Sequence, residues 1–244
     1  MDYNKCLDLI HEAQKREWVD RVNAARVDGR MCQWVSTLHP DQLPCQLDGG
    51  FLHGAYNVCQ KLVFSDGTTQ ILRFPLVGAT CDEYADEKIA IEVEVLTLIR
   101  QRTKIPVPEV YSWGLAADNP LGLGAFILME FIQGVSANHF LRDAETAATT
   151  RLMREDISDG DVEFLFRQMA GFQLQLFELD FDQIGSLPTP TTSFPAPIRP
   201  LTWKVHDIAQ TGGVDTFGMY GVKILCSFTS ALFPKMCPPA DQVT

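Results

Sequence analysis

Apolar and polar residues alternate in three short stretches, Leu47 to Phe51, Ala55 to Phe64 and Thr69 to Phe74, and this period of two predicts three strands. Ser65-Asp66-Gly67 joins the second and third as a hairpin turn. From Tyr84 to Arg102 the period changes to that of a helix, with Ile89, Val93, Leu96 and Ile99 at helical spacing. Ile105-Pro-Val-Pro108 stops that helix, because proline lacks the donor a helix needs and holds its predecessor extended. Glu109 to Leu115 and Gly124 to Ile132 read as two more strands, separated by the turn-rich Asp118-Asn-Pro-Leu-Gly122. The first half is therefore three strands, one helix and two strands.

The flanking segments have a different texture. Residues 2 to about 29 read as a polar, charged helix that stops at Gly29, followed by a loop with Pro40 and Pro44. Beyond Gly134, Asp161 to Leu179 reads as a well-buried helix, with Phe164, Leu165, Met169, Phe172, Leu176 and Leu179 near one face. Pro188 to Pro200 holds five prolines in 13 residues and is expected to be a loop or linker. From Val222 onward short apolar runs show no coherent period. The expected organisation is an N-terminal helix and linker (1–45), a sheet-bearing lobe (46–134), a partial helical lobe (135–221) and a divergent tail (222–244), which makes the class α+β.

Composition narrows the function. A net charge of −11, with no basic cluster, argues against nucleic acid as a partner, since such binding depends on Lys and Arg neutralising phosphates. The first 20 residues are charged throughout and no segment offers about 18 consecutive apolar residues, so neither a secretory signal nor a membrane partner is expected. The seven cysteines are irregularly spaced and contain no C-x-x-C pair, which points to free thiols in a reducing cytosol and a cytoplasmic location.

Three features could carry chemistry. Gly49, Gly50 and Gly54 lie between the first two predicted strands, where backbone without Cβ atoms can approach phosphate closely; the same glycines also suit an ordinary turn. Arg73 ends the third strand between Leu72 and Phe74, so it faces the opposite side of the sheet from both. It could meet Glu92 or Glu94 of the following helix, and it could equally form a surface ion pair of little consequence. Phe126-Ile-Leu-Met-Glu130-Phe-Ile132, followed by Gly134, has the shape of a strand leading to a hinge, and also of a plain core strand.

Taken in order, LDGGFLHGAYNVCQKLVFSDGTTQILRFP, EVLTLIRQRTKIPVPEVYSWG, NPLGLGAFILMEFIQG, FDQIGSL and PLTWKVHDIAQTGGVDTFG resemble the fungal branch of the aminoglycoside phosphotransferase family, over roughly Leu47 to Gly218. The resemblance implies a protein-kinase-like fold with a five-stranded antiparallel small lobe, and phosphorylation of a small-molecule hydroxyl with ATP and magnesium. It implies a phosphate loop at Gly49, Gly50 and Gly54, Arg73 as the cation of the third strand, Glu92 as its helix partner, and Glu130, Phe131 and Ile132 as the segment that meets adenine. The acceptor is left open, since such folds serve many substrates.

The catalytic pattern of that family, H-G-D-x-x-x-x-N, is not found in this sequence. His206-Asp207 lacks the intervening residue and has Gly212 where Asn is needed; His139 precedes Phe140 and Leu141. No asparagine follows Asn138, and Asp180-Phe-Asp182 precedes IGSL, a structural place in the family. No catalytic or metal-binding residue is therefore assigned, and a large lobe truncated after about Gly218 is expected. The expectations are a nucleotide-binding phosphotransferase part that is inactive by itself, a non-catalytic module that binds nucleotide or a partner, or a non-functional gene-model fragment.

Overall fold

A computed structural model describes residues 3–54, 56–77, 84–135, 141, 156–181 and 185–195. These fall into two compact units, one drawn from 1–98, 108–131 and 181–244, the other from 99–107 and 132–180. The tail from Val222, and His139, His206 and Asp207, lie outside the described residues.

In the first unit the alternating stretches form one antiparallel sheet of five strands, β1 (Cys45–His53), β2 (Asn57–Phe64), β3 (Thr69–Pro75), β4 (Val110–Gly114) and β5 (Phe126–Glu130), in the order β1-β2-β3-β5-β4. The predicted hairpin closes as expected: Phe64 N–H donates to Thr68 O at 2.9 Å, and Asp66 Oδ1 accepts from Thr68 N–H at 2.9 Å. Both faces of the sheet are covered. Val58, Leu62, Leu72, Phe74, Phe126 and Leu128 pack on one face against N-terminal helices α1 (Tyr3–Val27) and α2 (Arg30–Leu38). Ile127, Met129 and Ile71 lie on the other face against Ile89 and Val93 of α3 (Ala85–Arg102).

The N-terminal region departs from its sequence reading. The stretch expected as a loop after Gly29 contains α2, whose Met31, Trp34 and Val35 are buried at the i, i+3, i+4 spacing of an amphipathic helix. Gly29, with φ of 78°, supplies the left-handed residue that ends α1 and lets α2 start in a new direction. Although α1 is highly charged, Trp18, Val22 and Ala25 form a buried stripe, and Trp18 Nε1 donates to Leu123 O at 2.9 Å. Trp18 meets Phe74, and Trp34 meets Phe126, edge to face. The expected boundary at residue 45 runs through this cluster, which contains Cys45 itself, so the helices are part of the sheet's core.

In the second unit α4 (Asp159–Phe177) begins at Ser158, whose hydroxyl accepts from Asp161 N–H at 3.1 Å as an N-cap. Gln175 Oε1 accepts from Lys104 N–H at 2.7 Å. The expectation of a well-buried helix is corrected: no residue of α4 is buried, and Phe164 and Phe166 are each 65% exposed. Periodicity identifies an apolar face but not the surface that covers it. Among the described residues, no helix is long and apolar enough to cross a membrane.

Candidate functional site

The alternation along β3 turns Leu72 and Phe74 into the core below α1 and α2, and aims Arg73 at α3. Cys59 of β2 and Ile127 of β5 stand directly across from Arg73 in the sheet. In α3, Ile89 and Val93 anchor the helix to the sheet, and Lys88 and Glu92, one turn apart, are presented beside Arg73. Arg73 Nη1 meets Glu92 Oε1 at 2.7 Å, with side-chain exposures of 23% and 21%. This is neither a surface pair nor a fully buried one, and at such depth solvent screens it only partly. Of the two carboxylates open to Arg73 in the sequence, Glu92 is the partner. Glu94 is buried elsewhere, accepting from the Thr192 N–H at 2.6 Å and its hydroxyl at 3.0 Å.

Two further groups complete the cluster. Lys88 Nζ lies 3.5 Å from Glu92 Oε2. Asn57, the first residue of β2, is best oriented with its amide oxygen accepting from Arg73 Nη2 at 2.7 Å and its NH2 donating to Tyr56 O at 3.1 Å. The opposite orientation aims an amide donor at Arg73 and offers Lys88 a 3.3 Å contact instead; only the first satisfies both ends of the amide. Two cations therefore share one carboxylate, leaving one positive charge in excess at a site about one-fifth exposed. Burial pushes the Lys88 ammonium below its ordinary value, with Glu92 opposing and Arg73 adding to the fall. Burial pushes the Cys59 thiol up, with Arg73 pulling it down and Glu92 pushing it up, so it stands in the cluster as a neutral neighbour.

The glycines are placed differently from expectation. Gly49 and Gly50 are inside β1, within the strand predicted over Leu47 to Phe51, and not at the turn where the phosphate-loop reading puts them. Asp48 pairs with Lys61 and Leu52 with Cys59, so Gly49, Gly50 and Phe51 stand opposite Gln60 alone, in a bulge that Gly49 enters with φ of 69°. Arg26 of α1 holds this bulge, donating to Gly49 O at 3.1 Å and stacking over Phe51 at 4.4 Å. Gly54 is in the connection itself, and its N–H donates to Asn57 O at 2.9 Å. It is the glycine tied to the cation cluster.

The expected adenine segment has two of its donors engaged. Glu130 N–H donates to Glu109 O at 2.8 Å and Phe131 N–H to Thr69 O at 3.4 Å. The Phe131 ring carries Lys61 Nζ 4.5 Å from its centroid, while Lys61 also pairs with Asp48 at 2.7 Å. Ile132, in the other unit, is 54% exposed. Among the described residues no group of three His, Cys, Asp or Glu could hold a metal ion, so no residue is assigned to magnesium.

No protein-family model matches the chain. No solved structure matches it either. Its curated relatives are fungal. The chain is 28% identical over 134 residues to a subtelomeric hrmA-associated cluster protein of Aspergillus fumigatus, a match covering 55% of this chain and 23% of that protein. It is 27% identical over 215 residues to altered inheritance of mitochondria protein 9, mitochondrial, of Komagataella phaffii, covering 86% of this chain and 32% of the relative. The same-named protein of Yarrowia lipolytica is 31% identical over 84 residues, 33% of this chain and 14% of its own length. The chain thus spans less than a third of the length of these relatives.

Lys88, Asn57 and Arg26 were absent from the sequence reading. Lys88 had a legible signal, since Lys and Glu at i and i+4 share a helix face. Asn57 and Arg26 had none, because their roles depend on which segments the sheet brings together.

Proposed function

We propose that the first unit is a nucleotide-binding lobe of protein-kinase-like fold, part of an ATP-dependent small-molecule phosphotransferase related to the aminoglycoside phosphotransferases. The observation that carries this reading is the Arg73–Glu92 pair, joining the third strand to the helix that follows it, beside a connection marked by Gly54. A strand cation held by a helix carboxylate is the element that positions nucleotide phosphates in kinases. A five-stranded antiparallel sheet with one helix after the third strand is consistent with that fold.

The residues present fit a polyphosphate. Two cations balanced by one carboxylate leave a positive charge that a phosphate oxygen would neutralise, in a chain that is otherwise acidic. ATP, once bound, supplies the transferable phosphoryl group. Glu92 and Asn57 fix the Arg73 fork, and α3, anchored through Ile89 and Val93, keeps Glu92 and Lys88 at one height above the sheet. The Glu130 and Phe131 N–H groups are engaged within the sheet and so are not free to donate to a base.

Binding without turnover is expected of this sequence alone, because it holds no H-G-D-x-x-x-x-N loop to orient an acceptor hydroxyl. The acceptor remains an unspecified small molecule. The names of the matched yeast relatives favour a mitochondrial over a cytosolic setting, a choice that cell fractionation decides. Calorimetric titration of the 244-residue chain with ATP tests the proposal: saturable one-site heat is expected, and no binding up to millimolar ATP overturns it.

A further inference from the structure

We infer that Lys88 is the side chain that contacts the bound phosphate directly, while Arg73 acts as a positioning residue that holds the cluster together. This rests on the nucleotide-binding reading above and departs from the role that the family resemblance gives the β3 cation.

The two cations are held very differently. Arg73 is committed at both ends of its fork, with Nη1 on Glu92 at 2.7 Å and Nη2 on the Asn57 amide oxygen at 2.7 Å. Both are short, charge-assisted bonds, and turning the guanidinium toward a ligand would break them and leave Glu92 without its close partner. Lys88 is held loosely. Its contact with Glu92 is 3.5 Å, at the limit of a hydrogen bond, and the Asn57 amide atom 3.3 Å away is, in the orientation that serves Arg73, the NH2, which cannot accept from an ammonium.

An ammonium has three donors on a flexible stem, so Lys88 can swing to a new oxygen without dismantling the pair beside it. Its surroundings call for one. Glu92 is shared between two cations, and burial disfavours the charged lysine; an anion placed against Nζ restores the balance that Glu92 alone does not supply. The chemistry is that of a terminal or bridging phosphate oxygen, which accepts from a compact point charge as readily as from a fork. The ammonium stands close to the connection, with Nζ 3.3 Å from the Asn57 side-chain amide, and the Asn57 backbone carbonyl holds Gly54 N–H.

The experiment compares wild type, Lys88→Met, Lys88→Arg and Arg73→Met in the 244-residue chain by titration with ATP and with sodium tripolyphosphate, and records each melting temperature without ligand. Lys88→Met is expected to weaken both ligands tenfold or more, with a melting temperature at or above that of wild type, because an under-compensated charge has been removed. Lys88→Arg should recover most of the affinity. Arg73→Met should lose affinity and melting temperature together, as a positioning residue does. The inference is overturned if wild type binds ATP and Lys88→Met binds it within twofold, or if Lys88→Met lowers the melting temperature as much as Arg73→Met does. If wild type binds neither ligand, the nucleotide reading itself falls, and this inference with it.

Discussion

At the scale of single residues, the site depends on which side chains share a charge. The Arg73–Glu92 pair was legible in the sequence because strand alternation separates Arg73 from Leu72 and Phe74, and because Glu92 and the apolar Ile89 and Val93 belong to one helix pattern. Period alone left Glu92 and Glu94 both open, since two such residues differ by about 200° of rotation on a helix; the family resemblance singled out Glu92, and the packing of α3 turns Glu92 to Arg73. Cys45 offers a separate test of local environment. Its thiol is buried at the start of β1, donates to Cys32 O at 3.5 Å, and is pushed up to about 11, mainly by burial and then by the neighbouring Cys32 thiol. A raised thiol value means that the folded chain keeps a proton which the unfolded chain begins to lose near pH 9, so stability is present below that pH and is lost as pH rises toward 11. Denaturant midpoints should fall over this window, and Cys45→Ala should flatten the fall; an unchanged slope in the variant would place the effect elsewhere.

At the scale of elements, the strands, the hairpin and α3 were readable from period alone, to within a few residues at their ends. What escaped was cover. The highly charged α1 hides its buried stripe at Trp18, Val22 and Ala25, spaced i, i+4 and i+7, and α2 is short enough for Gly29 and Pro40 to pass for the ends of a loop. The β1 bulge leaves only a pair of glycines in the sequence, and whether they stand in a turn or within a strand depends on register with β2. α4 errs in the opposite direction, with a strong apolar period on a helix that buries none of its residues. These two helices therefore predict opposite mutational responses. Trp18→Ala removes a side chain 2% exposed, together with its hydrogen bond to Leu123, and should destabilise the first unit by about 3–5 kcal/mol. Phe164→Ala, at a position 65% exposed, should change stability by no more than about 0.5 kcal/mol. Chemical unfolding of the two variants separates the cases, and a comparable loss from both would contradict the packing described for α4.

At the scale of the molecule, an acidic chain concentrates a small positive surplus where β2, β3 and α3 meet, behind a connection held by Gly54 and Asn57. The sheet is fixed from both faces, by α1 and α2 on one side and by α3 on the other, so the height of Arg73, Lys88 and Glu92 is set by core packing rather than by a mobile loop. Under the proposed reading, this surplus is what holds the nucleotide's phosphates. The most direct measurement is calorimetric titration of ATP into the wild-type chain and into the Arg73→Met/Lys88→Met double variant, each first shown to be folded by circular dichroism. One-site binding by wild type and no measurable binding by the double variant is the expected result. Equal binding by both would show that nucleotide goes elsewhere, and binding by neither would show that this cluster serves no nucleotide at all.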